Sequence, residues 1–170
     1  MEGTDRNQKI IWPIVIAAGL IVLLILSYAY VQYKSPYGEA RWYHRILCKS
    51  NMKRLGVEFM RYALDHNDAY PDPNKWCDII SQNSGFDKEI FRCPDDKSGP
   101  CSYAMNPDCR SFFTPNEVVL LFEAKGGWNR SGGPQLLNPD NHLAKGSNVL
   151  FNNGLVEFVE PKDFNSLKWK

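Results

Sequence analysis

The sequence predicts an α+β protein, in which an N-terminal transmembrane helix precedes an amphipathic helix packed on a small antiparallel β-sheet. Three observations predict this fold: a long uncharged apolar stretch, a stripe of apolar residues at helical spacing, and short strand-like runs around an Asn-Gly turn. We therefore divide the chain into a short N-terminal tail (1–9), a transmembrane helix (10–31), a linker with the amphipathic helix (32–66) and a globular α+β domain (67–170).

The apolar stretch Ile10–Val31 predicts the membrane anchor. Its 22 uncharged residues would form a helix about 33 Å long, which matches a bilayer hydrocarbon core of about 30 Å. A buried core helix is one alternative, but apolar residues on every face favour a membrane span. A cleaved signal peptide, cut after Ser27-Tyr28-Ala29, is another, but its apolar region is usually only about 7–15 residues long. We predict an uncleaved single-pass anchor in contact with membrane lipid.

The charges and the cysteines favour opposite orientations of this anchor. Lys and Arg are more frequent just after the apolar stretch than before it, which favours a cytoplasmic domain. Four cysteines within 33 residues instead favour a disulfide-bonded exported domain: Cys77, Cys93, Cys101 and Cys109. We give the cysteines more weight and predict a protein of the cell membrane whose domain lies outside the cytoplasm.

The disulfide connectivity stays open at this point. Five choices of an odd cysteine and three pairings of the other four give 15 patterns of two bridges. Our first choice pairs Cys77 with Cys93 and Cys101 with Cys109, which leaves Cys48 as the odd thiol. Seven residues lie between Cys93 and Cys101, and seven between Cys101 and Cys109, unlike the two to four of zinc knuckles, so we predict no metal at these cysteines.

A second helix is predicted from about Glu39 to Asp65. Apolar residues alternate steps of four and three along it, and so share one face: Cys48, Met52, Leu55, Phe59 and Tyr62. We expect this stripe to pack on the sheet, with a partner helix as the alternative. A short third helix through Trp76, Ile79 and Ile80 should stop before Gly85.

The predicted strands follow in the C-terminal half. Glu117–Glu123 is an almost continuous apolar run, typical of a central strand covered on both faces. Asn148–Phe151 and Leu155–Val159 flank Asn153-Gly154, a strong hairpin pattern because both turn residues tolerate positive φ. A long Gly-rich loop follows the first of these strands. If the domain binds a ligand, we expect Trp128 and Arg130 to contact it; the alternative is a mobile surface loop with one buried Trp.

Residues that could carry chemistry are few. No nucleophile elbow or phosphate-binding Gly loop is present, so we predict that the protein is not an enzyme and has no catalytic residue or cofactor. His44 and His66 lie on or at the end of the second helix, where solvation or capping explains them. His142, Glu123 and Asn153 can form a polar cluster if the strands pair as predicted, and we interpret it as a structural network. The alternative is a ligand or hydrolase site using His142.

Charge excludes one class of partner. The formal net charge is +1, and the basic residues do not gather in one run, so we predict no nucleic-acid partner.

Three stretches of the chain carry a recognisable pattern. They are Cys48-Lys-Ser-Asn51-Met-Lys-Arg-Leu55-Gly56 followed by Tyr62 and Tyr70-Pro71; Phe91-Arg92-Cys93-Pro94-Asp95-Asp96 with Ser102-Tyr103-Ala104-Met105-Asn106; and Leu121-Phe122-Glu123 with His142 and Asn148-Val149-Leu150-Phe151-Asn152-Asn153-Gly154. Together they resemble bacterial pilin-like proteins related to type II secretion major pseudopilins. The family's C-terminal domain is marked by a His, nine residues and Asp-Gly, whereas ten residues separate His142 from Asn153 here. The chain also lacks the family's Gly-Phe-Thr-Leu-Ile-Glu-like start.

The resemblance implies a pilin-like fold and function. We predict a membrane-anchored structural or assembly protein of a secretion or pilus-type system, whose transmembrane helix packs with itself or with other pilin-like subunits. The alternative is a monomeric extracytoplasmic ligand-binding module tethered by a single helix. Pseudopilins of this broad type can hold calcium in a C-terminal loop, for which Asn138, Asp140 and Asn141 are the candidates here.

Overall fold

The chain divides into an N-terminal unit, residues 1–40, and a larger unit, residues 41–170, and we describe each by itself. A computed structural model describes residues 3–33, 36–83, 85, 87–96 and 98–170. The N-terminal unit contains helix α1, Gly3–Tyr33. A search of the described residues finds no helix with both the length and the apolarity needed to cross a membrane. The side chains of Ile10, Ile11, Trp12 and Ile14, which belong to the predicted span, lie outside the described residues.

The predicted amphipathic helix is confirmed as α2, Pro36–Asp65, most of which belongs to the larger unit. Its stripe residues Cys48, Met52, Leu55 and Phe59 are fully buried, because one face of the helix packs against the sheet. The chain leaves the helix through Asn67 and Asp68, which both have positive φ. The predicted third helix is α3, Trp76–Asn83.

The described residues form an antiparallel sheet of four strands in the order β1-β2-β3-β4, which are β1 Tyr103–Met105, β2 Val119–Glu123, β3 Ser147–Phe151 and β4 Val156–Val159. Further short helices are the 3₁₀ turns Lys88–Phe91, Pro134–Leu136 and Pro161–Ser166, and α4, Asn141–Ala144. This architecture confirms the predicted α+β class, with helices packed on a small antiparallel sheet.

Strand β2 lies inside the sheet and is buried along its whole length, as its apolar run predicts. The register shifts between Val119 and Leu121, so that Leu120 and Leu121 both join the core cluster that contains α2. Val119 and Phe122 belong to a different apolar cluster, against which Phe164 and Trp169 of the C-terminal segment pack. The sheet therefore carries apolar cores on both faces.

The predicted hairpin joins β3 and β4. Gly154 adopts a φ of 79°, and its N–H donates to the carbonyl of Phe151. Asn153 supports the turn through its side chain, whose Oδ1 accepts from the Leu155 N–H at 2.9 Å. The turn thus uses one residue with positive φ and one Asn side chain, rather than two residues with positive φ.

Candidate functional site

A chain of ionisable side chains crosses one end of the sheet. Glu123 is the last residue of β2, His142 belongs to α4, and Asp95 lies in the turn that follows Cys93. His142 Nε2 lies 2.9 Å from Glu123 Oε1, and its Nδ1 lies 2.9 Å from Asp95 Oδ2. The imidazole is therefore held between two carboxylates.

Glu123 is fully buried, and the protein supplies the donors that its charge needs. The backbone N–H of Asn148 donates to Oε2 at 2.9 Å, and the side-chain amide of Asn148 donates to Oε1 at 3.0 Å. Because Asn148 is the second residue of β3, the pairing of β2 with β3 itself positions these donors.

The two carboxylates change the protonation of His142. Burial by itself lowers its pKa, but the hydrogen bonds and charges of Glu123, and then of Asp95, outweigh burial and raise the pKa above its usual value. Each ring nitrogen faces a carboxylate oxygen, so the arrangement favours the imidazolium form, in which both nitrogens can donate. Its backbone has a φ of 52°, a left-handed conformation that the surrounding contacts must stabilise.

Asp95 connects this group of ionisable side chains to α2. Its Oδ1 lies 2.7 Å from Nδ1 of His44, a residue of α2 that is half-buried. The prediction that His44 is solvated or capping is therefore wrong. His66 lies at the end of α2, where its Nδ1 is 2.7 Å from the carbonyl of Tyr62, as expected for a capping side chain.

The structure corrects the cysteine pairing. Cys48 of α2 forms a disulfide with Cys93, and Cys77, Cys101 and Cys109 are free, buried thiols. The predicted pairs Cys77–Cys93 and Cys101–Cys109 are wrong, and so is the assignment of Cys48 as the odd thiol. Sequence spacing could not reveal the true pair, because helix packing brings together residues 45 positions apart.

This disulfide lies beside the ionisable chain. Cys93 Sγ is 3.9 Å from His142 Nε2. Among the described residues, Cys48, Cys93, Glu123 and His142 form a buried group in which one ligand atom from each lies within 4.8 Å of all the others. Thiolate, imidazole and carboxylate are metal ligands, so this group could hold a metal ion once the sulfurs are reduced.

Asn153 and Gly154 lie elsewhere. They form the β3–β4 turn, where the Asn153 N–H donates to the carbonyl of Asn116. Asn153 therefore does not join the polar cluster that we expected it to share with His142 and Glu123. Asp95 and Asn148, which sequence reasoning did not single out for this cluster, take that place.

The calcium candidates form a local hydrogen-bonded turn. Asn138 donates through Nδ2 to Asn141 Oδ1 at 2.6 Å, and Asn138 Oδ1 accepts from the Asp140 N–H. Asp140 is exposed, and its carboxylate pairs with Lys125 at 3.5 Å. The side-chain oxygen of each Asn thus already accepts a hydrogen bond from a protein donor.

The loop that contains Trp128 and Arg130 is hydrogen-bonded to α3. Trp128 Nε1 donates to Asp78 Oδ1 at 2.6 Å, and Asn129 Oδ1 accepts from the Cys77 N–H at 2.8 Å. Asn129 Nδ2 also donates to Asp78 Oδ2 at 2.5 Å, and the hydrogen bonds that the Asp78 carboxylate accepts, first from Trp128 and then from Asn129, lower its pKa. The carbonyl of Arg130 accepts from Trp76 Nε1 at 2.9 Å. Trp128 also borders a cleft of about 370 Å³. The loop therefore makes structural contacts with α3, and ligand contact by Trp128 and Arg130 stays a prediction.

Comparison of the chain with protein-family models, with curated proteins and with solved structures finds no match. Function therefore has to be argued from the residues and their geometry.

Proposed function

We propose that this chain is a membrane-anchored, pilin-like structural or assembly protein of a secretion or pilus-type system. The apolar surface of α1 carries the proposal. Every large hydrophobic side chain described between Val15 and Val31 is more than half exposed. A continuous exposed apolar surface marks a site of contact with a membrane or with another protein.

The composition of this segment favours the membrane. Thirteen residues of Ile10–Val31 are Leu, Ile or Val, and at about −0.3 to −0.6 kcal/mol each they would favour insertion by roughly 4–8 kcal/mol. No charged residue in the segment offsets this gain. In a bilayer, such helices associate by close packing, which is how the anchor would join other pilin-like subunits.

The larger unit supports a structural role. Both ring nitrogens of His142 are engaged by carboxylates, so neither is available as a base toward a substrate. The Cys48–Cys93 disulfide supports a location outside the cytoplasm, where such bonds persist. The order of the three pilin-like stretches supports the family assignment.

Photocrosslinking tests the proposal. A photoreactive residue at Leu20, in the full chain expressed at its natural level, should crosslink to a second copy or to a pilin-like partner. The same residue at Phe113, an exposed position of the larger unit, is the matched control and should not give that product. Monomer bands from probes on every face of α1 would contradict assembly and leave the tethered ligand-binding module.

A charge at the same position tests the anchor separately. Leu20→Arg should reduce the fraction of protein that sediments with membranes after alkaline extraction, since Arg at a helix centre costs about 2.5–3.5 kcal/mol. Leu155→Arg, at an exposed position in the hairpin, is the control and should leave the distribution unchanged. Recovery of the unmodified chain in the soluble fraction would contradict the anchor.

A further inference from the structure

The disulfide Cys48–Cys93 and the ionisable chain meet in one buried corner, and their donor atoms suit a metal ion. We propose that, when this disulfide is reduced, Cys48, Cys93, Glu123 and His142 bind one zinc ion. The oxidation state of the two cysteines then determines whether this buried corner contains a disulfide or a metal ion. This inference does not depend on the anchor or on the pilin-like assignment.

Distance and donor type support a tetrahedral site. Zinc binds sulfur at about 2.3 Å and nitrogen or oxygen at about 2.0–2.2 Å, which places tetrahedral ligand atoms roughly 3.3–3.8 Å apart. The four ligand atoms already lie within 4.8 Å of one another, and all four residues are buried. Two thiolates with an imidazole favour zinc over calcium or magnesium, which prefer oxygen ligands.

The outer contacts resemble those that orient zinc ligands. A ligating His commonly donates its other ring N–H to a carboxylate, and His142 Nδ1 makes this contact with Asp95 at 2.9 Å. Asn148 holds the Glu123 carboxylate through two donors. The left-handed backbone of His142 is a local cost that persists where a side chain has to be aimed.

The ligands come from separate parts of the fold, and there is a route to them. Cys48 lies on α2, Glu123 on β2 and His142 on α4, so the larger unit positions them before any ion binds. An open cleft of about 720 Å³ is lined by Cys93 together with Arg92 and Pro94. Cys93 is 1% exposed, so we expect a small reductant or a hydrated ion to approach the disulfide from this side of Cys93.

The chemistry balances with a dithiol as the reductant. The dithiol gives two electrons and two protons to the Cys48–Cys93 bond, which breaks to give two thiols, and the dithiol becomes a cyclic disulfide. Zinc then displaces one proton from each thiol and the Nε2 proton of His142, and the three protons pass to solvent. The proton on Nδ1 of His142 stays in place and donates to the Asp95 carboxylate. In the reverse direction, thiol–disulfide exchange with a cyclic disulfide rejoins Cys48 and Cys93 and passes their two electrons, with two protons from solvent, to that disulfide, which becomes a dithiol. The ion loses two of its four ligands and is released, and His142 Nε2 takes a proton back from solvent.

Metal titration of the full chain tests the proposal. The chain is reduced with a dithiol, and the dithiol is then removed under anaerobic conditions. The reduced chain is titrated with Zn²⁺ or with Co²⁺, because the absorption band of a cobalt–thiolate bond reports sulfur ligands. We expect one ion per reduced chain and at least a hundredfold weaker binding to the oxidised chain. Asp95→Asn should weaken binding 10–100-fold, the usual effect of losing an outer carboxylate.

The other cysteines supply the control. Cys77 and Cys101 share a hydrogen bond, so they are a competing pair of thiols, and Cys77→Ser should leave the cobalt–thiolate absorption unchanged. Zinc should protect Cys48 and Cys93 of the reduced wild-type chain from alkylation, as read by mass spectrometry, which needs no variant to fold. Absence of cobalt–thiolate absorption in the reduced chain, or protection confined to other cysteines, would overturn the proposal.

Discussion

Replacing His142 with Ala should destabilise the larger unit of the oxidised, metal-free chain by about 3–5 kcal/mol, the range for removing one partner of a buried ion pair. The side chains of His142 and Glu123 are 2% and 0% exposed, so the substitution leaves the Glu123 carboxylate buried without its charged partner. Asn148 still donates to Glu123, which limits the loss. Asp95 keeps its contact with His44.

The assay is urea unfolding of the full chain in mild detergent at neutral pH, followed by tryptophan fluorescence. A double-mutant cycle of His142→Ala and Glu123→Gln separates the pair from the cavity left by the imidazole. The double variant should cost at least about 1 kcal/mol less than the two single losses together, since groups in direct contact couple by roughly 0.5–3 kcal/mol. His66→Ala, at an exposed position, is the matched control; it removes one hydrogen bond to the Tyr62 carbonyl and should cost only about 0.5–1.5 kcal/mol.

Two results would refute this reasoning. The first is a stability loss in the double variant that equals the sum of the two single losses to within about 0.3–0.5 kcal/mol. Independent sites are additive to that extent, so this result would mean that His142 and Glu123 do not interact. A His142→Ala chain as stable as the His66→Ala chain would mean that the buried carboxylate does not need the imidazolium.

Three further predictions concern other parts of the larger unit. Replacing Cys48 and Cys93 with Ser should lower the free energy of unfolding by about 2–4 kcal/mol, measured by urea titration, because their bond closes a loop across a sequence separation of 45. Asp78→Asn should be less stable than the wild type above the unfolded Asp pKa of about 3.9, and this difference should disappear as the pH falls through the lower folded pKa, as unfolding midpoints across pH will show. Gly146→Ala should cost more than about 2 kcal/mol in thermal unfolding, since its φ is 142° and an added Cβ would lie 2.1 Å from the Val159 carbonyl oxygen.

Each of these has a matched comparison. Cys109→Ser changes a free buried thiol and should not alter migration in a non-reducing gel, whereas loss of the Cys48–Cys93 bond should. A difference between Asp78→Asn and the wild type that persists unchanged at low pH would mean that the carboxylate charge does not carry the contact with Trp128. Gly133→Ala, where φ is negative, should be tolerated better than Gly146→Ala, and equal losses would argue against strain at Gly146.

The amino-acid sequence alone determined the elements whose cause is local. The apolar stripe of α2 follows from side chains three and four residues apart, and the burial of β2 follows from an unbroken apolar run. The β3–β4 turn follows from Asn153-Gly154. These patterns arise between near neighbours, so they can be identified without knowledge of the fold.

The tertiary structure alone decided the composition of the buried corner. His142 meets Asp95 across 47 positions and Glu123 across 19, and Cys48 meets Cys93 across 45. No local period links such residues; the packing of α2 on the sheet and the register of β3 against β2 bring them together. The sequence therefore named Glu123 and His142 as polar partners but missed Asp95, His44 and Asn148, because their roles exist only after the helix and the strands have packed.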